Sequence, residues 1–126
     1  MLRYIMALVI LTMCGYASSH AWTPTYPQLL PSHEKNIYRV EMLLWNSRAD
    51  NFYYTFEVFD KDFIPIKFGT PERTVYVGYL ERKTINIYIR EIDIERAVYV
   101  CSRSRIVKQN ETASLVASRI CSKIKE

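Results

Sequence analysis

The stretch "ERAVYVCSRSRIV", Glu95 to Val107, decides how this chain folds. Ala97, Tyr99, Cys101, Arg103 and Arg105 take one set of alternate positions; Val98, Val100 and Ile106 take the other. A period of two sends successive side chains to opposite faces of a strand, so one face is apolar and the other carries a cysteine and two arginines. The segment after it, "KQNETASLVASRICSKIKE", has two readings. As a strand, Val116, Ser118, Ile120, Ser122 and Ile124 share a face. As a short helix, Val116, Ile120 and Ile124 recur every fourth residue, with Glu111 and Lys123/Lys125 placed as a helix dipole prefers. The strand is the preferred reading, with the helix as its alternative.

Taken as strands, the two segments form a hairpin around "QNET". A turn centred on Glu111 sets Cys101 opposite Cys121. Facing residues have Cβ atoms about 4.5–5.5 Å apart, closer at non-hydrogen-bonded positions, within reach of the disulfide's Cβ spacing. The expected Cys101–Cys121 bond clamps a hairpin and closes a loop of about 20 residues, worth about 3 kcal/mol in the chain-entropy picture. The same register opposes Arg103 and Arg119, with Arg105 and Lys123 on the same side. Like charges facing each other across a ladder repel. This basic stripe is therefore a candidate binding surface for an anionic partner, to be weighed against simple solvation of long side chains.

Upstream, the same alternation recurs. Tyr38, Val40, Met42 and Leu44 share a face, and "WNSRADN" supplies turn formers. "FYYTFEVF" points Phe52, Tyr54, Phe56 and Val58 one way. "DKD", Asp60 to Asp62, fits a hairpin turn better than a calcium loop, which needs more oxygen ligands at set intervals. Pro65 confines "FIPIKF" to a sheet edge. Val75 and Val77, then Ile85, Ile87 and Ile89, complete the inward set. Short alternating strands at intervals of about 8–12 residues indicate an antiparallel sandwich.

The start of the chain, "MLRYIMALVILTMCGYASSHAW", has one positive charge at Arg3, an apolar run from Tyr4 to Met13, and small residues leading to Ala21. That pattern is a secretory signal peptide over residues 1–21, with cleavage expected between Ala21 and Trp22. The apolar run falls short of the about 20 residues a membrane span needs, which disfavours the alternative of an uncleaved anchor. A second alternative is a lipoprotein anchored through Cys14, although Met13 stands where that processing wants a small residue. Residues 22–36, with three prolines and no periodicity, read as an extended leader that joins an edge strand near Leu29 and Leu30. Residues 37–126 read as one domain.

Without residues 1–21 the chain keeps 16 basic and 13 acidic residues. So mild a balance in an exported chain argues against nucleic acid as a partner. Cys101 and Cys121 are then its two cysteines, and an oxidising compartment favours their pairing over metal binding. The sequence shows no serine–histidine arrangement with a local signature and no glycine-rich phosphate loop among its three glycines. No enzymatic activity, cofactor or metal is expected.

With the strands laid out, "LLPSHEKNIYRVEMLLWNSRADNFYYTFEVFD" resembles the amino-terminal immunoglobulin-like domain of periplasmic pilus-assembly chaperones. In both, a proline-containing leader enters a strand, and an Asn-Ser turn leads to an aromatic strand ending in aspartate. One chaperone subgroup also has a disulfide between its last two strands. The resemblance, over roughly residues 28–124, implies an all-β, immunoglobulin-like antiparallel β-sandwich of about seven strands. Tyr99, two residues before Cys101, matches the tyrosine corner of immunoglobulin domains, with plain packing as the equal alternative. The departures concern activity. Those chaperones have a second domain with no counterpart in this sequence, and their carboxylate-anchoring basic pair maps onto no particular residues, Arg39 and Lys108 being nearest by position. Ser118 and Ser122 also interrupt the apolar alternation of the strand they donate.

The expected role is an exported, non-enzymatic interaction module of a bacterial envelope apparatus, such as a pilus, secretion or conjugation assembly. It would be periplasmic or secreted, with peripheral membrane association left open, and would bind by edge-strand pairing and the basic stripe. The alternative role is a single-domain chaperone that donates its last strand to client subunits. A eukaryotic secreted reading would make Asn110 to Thr112 a glycosylation acceptor.

Overall fold

The computed structural model describes residues 20–105 and 118–124. They form eight strands: β1 (Ala21–Thr23), β2 (Leu30–Pro31), β3 (Ile37–Trp45), β4 (Tyr53–Phe59), β5 (Thr74–Tyr76), β6 (Arg82–Arg90), β7 (Tyr99–Arg105) and β8 (Arg119–Lys123). A single 3-10 turn, Glu91–Asp93, joins β6 to the approach to β7. None of the helical structure among the described residues is long and apolar enough to cross a membrane.

Two antiparallel four-stranded sheets make a sandwich. In the first, β3 is central. β6 pairs with it along its whole length, from Ile37↔Arg90 to Trp45↔Arg82. The other edge of β3 is shared by β1, opposite Leu43–Trp45, and β2, opposite Tyr38 and Arg39. The extended leader thus joins the edge of the sheet at Leu30, as expected, and also contributes Trp22 and Thr23 to β1. The second sheet runs β5–β4–β7–β8.

The period-two pattern dictates which residues meet between the sheets. Val40, Met42 and Leu44 of β3 and Ile85, Ile87 and Ile89 of β6 face Tyr54, Phe56 and Val58 of β4 and Val100 of β7, all buried. Each such side chain contributes about 1.5–3 kcal/mol by leaving water. Trp22 pins one sheet to the other: its ring stacks on Phe56 with centroids 5.5 Å apart, and its indole Nε1 donates to the Val100 carbonyl at 3.1 Å.

The last hairpin has the expected register. Cys101 faces Cys121 and Arg103 faces Arg119, and the two sulfurs are bonded. The Ser104 N–H donates to the Ser118 carbonyl and the Ile124 N–H to the Val98 carbonyl. Alternation between these two hydrogen-bonded pairs makes the cysteines a non-hydrogen-bonded pair, the closer kind, in keeping with a Cα separation of 4.1 Å. Residues 119–123 are a strand, as preferred over the helix. Ile106, Val116, the "QNET" turn with its sequon, Lys108 and Cys14 lie outside the described residues.

The segment read as an edge strand, "FIPIKF", instead changes sheets. Pro65 bridges Phe59 on β4, and four residues later Gly69 bridges Tyr88 on β6. The bridge is held by its neighbours, the Asp60 N–H donating to the Ile64 carbonyl and the Ile66 N–H to the Val58 carbonyl, so Pro65 is tolerated there with its nitrogen turned away from β4. Asp60 shapes the turn before it, its Oδ1 accepting the N–H groups of Asp62 and Ile64.

Asn46 ties the β3–β4 loop to the end of β5. Its Nδ2 donates to the carbonyls of Asn51 and Val77, and its Oδ1 accepts from the Arg48 N–H and, at 2.6 Å, from the Tyr54 hydroxyl. Burial pushes the Tyr54 phenol up to about 12, so it stays a donor. Asn46→Ala leaves buried polar groups unpaired and is expected to cost on the order of 4 kcal/mol in urea unfolding. Replacing both Cys101 and Cys121 by alanine should lower stability by about 3 kcal/mol by the same measurement.

Candidate functional site

The outward face of the second sheet is set by the residues that the core does not claim. On β7 these are Tyr99, Cys101, Arg103 and Arg105; on β4, Tyr53, Thr55, Glu57 and Phe59; on β8, Arg119, Cys121 and Lys123. All four residues of the expected basic stripe lie on this face, but their surroundings differ. Arg119 grips Glu57 with two hydrogen bonds, Nε to Oε1 at 2.9 Å and Nη2 to Oε2 at 3.2 Å, and its guanidinium lies 5.3 Å from the Phe59 ring centre. Its charge is matched locally. Lys123 sits apart, opposite Tyr99. Arg105 donates to the Thr55 hydroxyl at 3.2 Å, and Arg103 faces Thr55 across the ladder.

Tyr99 faces outward and so does not serve as a tyrosine corner. Phe63 stacks on it with centroids 4.6 Å apart and planes 9° from parallel. Phe63 holds the left-handed region at φ 58°, which costs a bulky residue about 1–2 kcal/mol. The stack, and a second contact with Phe59, offsets that strain and hides Phe59 from water.

Beside this face the edge of β4 opens. Its ladder with β5 ends at Thr55↔Thr74, and contact on that side resumes only at the Phe59–Pro65 bridge. Between them lies an open cleft of about 510 Å³. Phe56, Ile66 and Phe68 give it an apolar floor; Thr55, Thr70 and Thr74 supply hydroxyls, and Lys67 and Arg73 supply charge. Thr55 joins the cleft to Arg103 and Arg105. Among the described residues, Lys67, Arg73, Arg103 and Arg105 have no carboxylate partner, because Glu57 is held by Arg119 and Glu72 by Lys83. A cleft with an apolar floor, two cations in its lining (Lys67 and Arg73) and two more on the adjoining face (Arg103 and Arg105), none with a carboxylate partner among the described residues, has the chemistry to take a chain that is both extended and acidic. Lys67 and Arg73 carried no recognisable signal in the sequence. They flank the turn "GTPE" and reach the cleft only because the chain changes sheets there.

A second polar cluster is buried and closed. The His20 Nε2 lies 2.8 Å from the Ser102 Oγ, and its Nδ1 3.4 Å from the Ser118 Oγ, which in turn is 3.1 Å from the Ser104 Oγ. Its ring packs 4.8 Å from that of Tyr54. Ser102 is fully buried, and His20 is 2 % exposed, so the pair is packed inside the sandwich. Ala21 and Trp22, the residues flanking the expected cleavage point, lie within β1. At the far end of the domain, Arg96 and Arg90 hold the Asp93 carboxyl below the usual carboxylate range. Among the described residues no group of three histidine, cysteine or acidic side chains is placed to hold a metal ion.

No protein-family model matches this chain, and no curated protein sequence matches it significantly.

Burial drives the His20 imidazole down to about 4, against a hydrogen bond that the ring donates to the Ser102 backbone carbonyl, which pulls it up. The unfolded chain, with an ordinary value near 6.5, binds the extra proton first. Stability therefore rises with pH between about 4 and 6.5, by on the order of 3 kcal/mol in total, and that contribution is absent below pH 4. Urea unfolding at pH 4.5 and 7 should show this slope, and His20→Gln should flatten it.

Proposed function

We propose that this chain is an exported, non-enzymatic protein-interaction module of a bacterial envelope apparatus, and that its cleft takes an extended, acidic segment of a partner protein. The observation that carries the reading is the cleft between the β5 ladder and the Pro65 bridge. Its apolar floor suits alternate side chains of an extended peptide, while Lys67, Arg73, Arg103 and Arg105 lack carboxylates of their own among the described residues. The disulfide of an all-β domain is compatible with a periplasmic or secreted location. The resemblance to pilus-assembly chaperones supports the choice of a bacterial envelope. Relative to the expected stripe, the binding surface moves away from Arg119 and Lys123 and toward the sheet edge.

Strand donation by β8, the alternative role, has less support. The Lys123 N–H on its outer edge is already taken by the Thr25 carbonyl, and Cys121 ties the strand to β7.

The reading is tested by titrating the purified domain with acidic extended peptides of ten residues and with their glutamine counterparts. Acidic peptides should shift the amide resonances of Thr55, Phe56 and Gly69, with affinity that falls as salt rises. The pair Lys67→Glu and Arg73→Glu should weaken binding by about tenfold or more, while Lys123→Glu should not. Equal binding of both peptide sets, or resonance shifts confined to β8, would sink the proposal.

A further inference from the structure

The first residues of the sandwich lie where the signal-peptide pattern placed its cut. His20 is 2 % exposed and Trp22 4 % exposed. Ala21, Trp22 and Thr23 pair with Trp45, Leu44 and Leu43 of β3. A cut between Ala21 and Trp22 would do three things to this arrangement. It would remove the imidazole that fills the space beside Tyr54 and leave the Ser102 hydroxyl, 0 % exposed, without its partner at 2.8 Å. It would delete the Ala21↔Trp45 pairing that starts β1. It would also place a new ammonium group on Trp22, inside the sheet and next to the core, where an unpaired charge is costly.

The sequence offers two bonds just upstream that keep His20 and the Ala21↔Trp45 pairing; of these, the Ala17–Ser18 bond also keeps the new ammonium off a buried residue, whereas the Ser19–His20 bond places it on His20. Signal peptidases read small residues at the last and third-last positions before the cut. Gly15 and Ala17 satisfy this for the Ala17–Ser18 bond, and Ala17 and Ser19 for the Ser19–His20 bond. We infer that processing falls at one of these two bonds, so that His20 and Ala21 stay in the mature chain as the start of β1. The inference rests on the export reading proposed above. The step is peptide hydrolysis: water adds hydroxyl to the carbonyl of Ala17 or Ser19 and a proton to the nitrogen of Ser18 or His20. It acts on the chain before folding, so the later burial of His20 does not hinder it. The leaving segment holds the apolar run and Arg3, and takes no residue from the described sandwich.

The physical consequence is that the mature amino terminus acts as part of the fold. β1 covers the end of β3, sends Trp22 across to β7 and inserts His20 between Tyr54 and Ser102.

Production of the full-length chain in a bacterium, recovery from the periplasm or medium, and intact-mass measurement with amino-terminal sequencing test this. A chain that begins at Ser18 or His20 supports the inference. One that begins at Trp22 overturns it and leaves export standing. A chain that begins at Met1 and stays in the cell overturns export itself. As a second measurement, chains 20–126 and 22–126 are melted side by side. The shorter one should melt lower by on the order of 10 °C, and equal melting would overturn the structural argument.

Discussion

The register between β7 and β8 is the constraint from which the rest of the domain takes its shape. With Cys101 opposite Cys121, the odd-numbered residues of β7 and β8 share one face, and the burial of Val100 and Ile124 on the other turns that face outward; a slip of one residue would reverse it. In that register, with Val100 in the core, Ser102 and Ser104 also enter the sandwich, while Arg103 and Arg105 leave it. β7 is also paired with β4 along seven positions. The same choice therefore orients Tyr54, Phe56 and Val58 toward the first sheet, and Thr55 and Glu57 toward solvent.

That register leaves a problem on the inner face. Two of the three inward-facing β7 residues carry hydroxyls, and a buried hydroxyl without a partner destabilises by about 1–3 kcal/mol. Part of the solution comes from the opposite end of the chain and part from the same hairpin. His20 meets Ser102, Ser118 meets Ser104, and Trp22 adds a hydrogen bond to the Val100 carbonyl. The β1 segment and the disulfide hairpin thus support each other: one fixes where the serines go, the other makes their burial tolerable. This also explains why a histidine is held there in its neutral form.

The cleft follows from a different local constraint. The chain pairs with β4 only around Pro65, then crosses to β6 at Gly69 before returning as β5. The interruption exposes a short reach of β4 with Phe56 at its base. On the same face Arg119 is drawn toward Glu57 and Phe59, which removes one cation from the stripe and consumes the nearest carboxylate. Charge is left in excess at the edge of the sheet. No residue type in the cleft is unusual; its character arises from which carboxylates are already taken.

Much of this was legible in the residues alone. Alternation along β3, β4, β6 and β7 specified a sandwich and its inward set, and cysteine spacing with a turn at Glu111 specified the Cys101–Cys121 pairing, since both depend only on local periodicity and one hairpin. Three features were not legible, because each joins residues far apart in the chain. The integration of His20 and Trp22 depends on β7, about 80 positions away; the neutralisation of Arg119 depends on Glu57, two strands across; the cleft depends on where the Pro65 segment goes after it leaves β4. A strand's pattern states which face is apolar, whereas the neighbours of its polar residues are chosen only when the sheets close on one another.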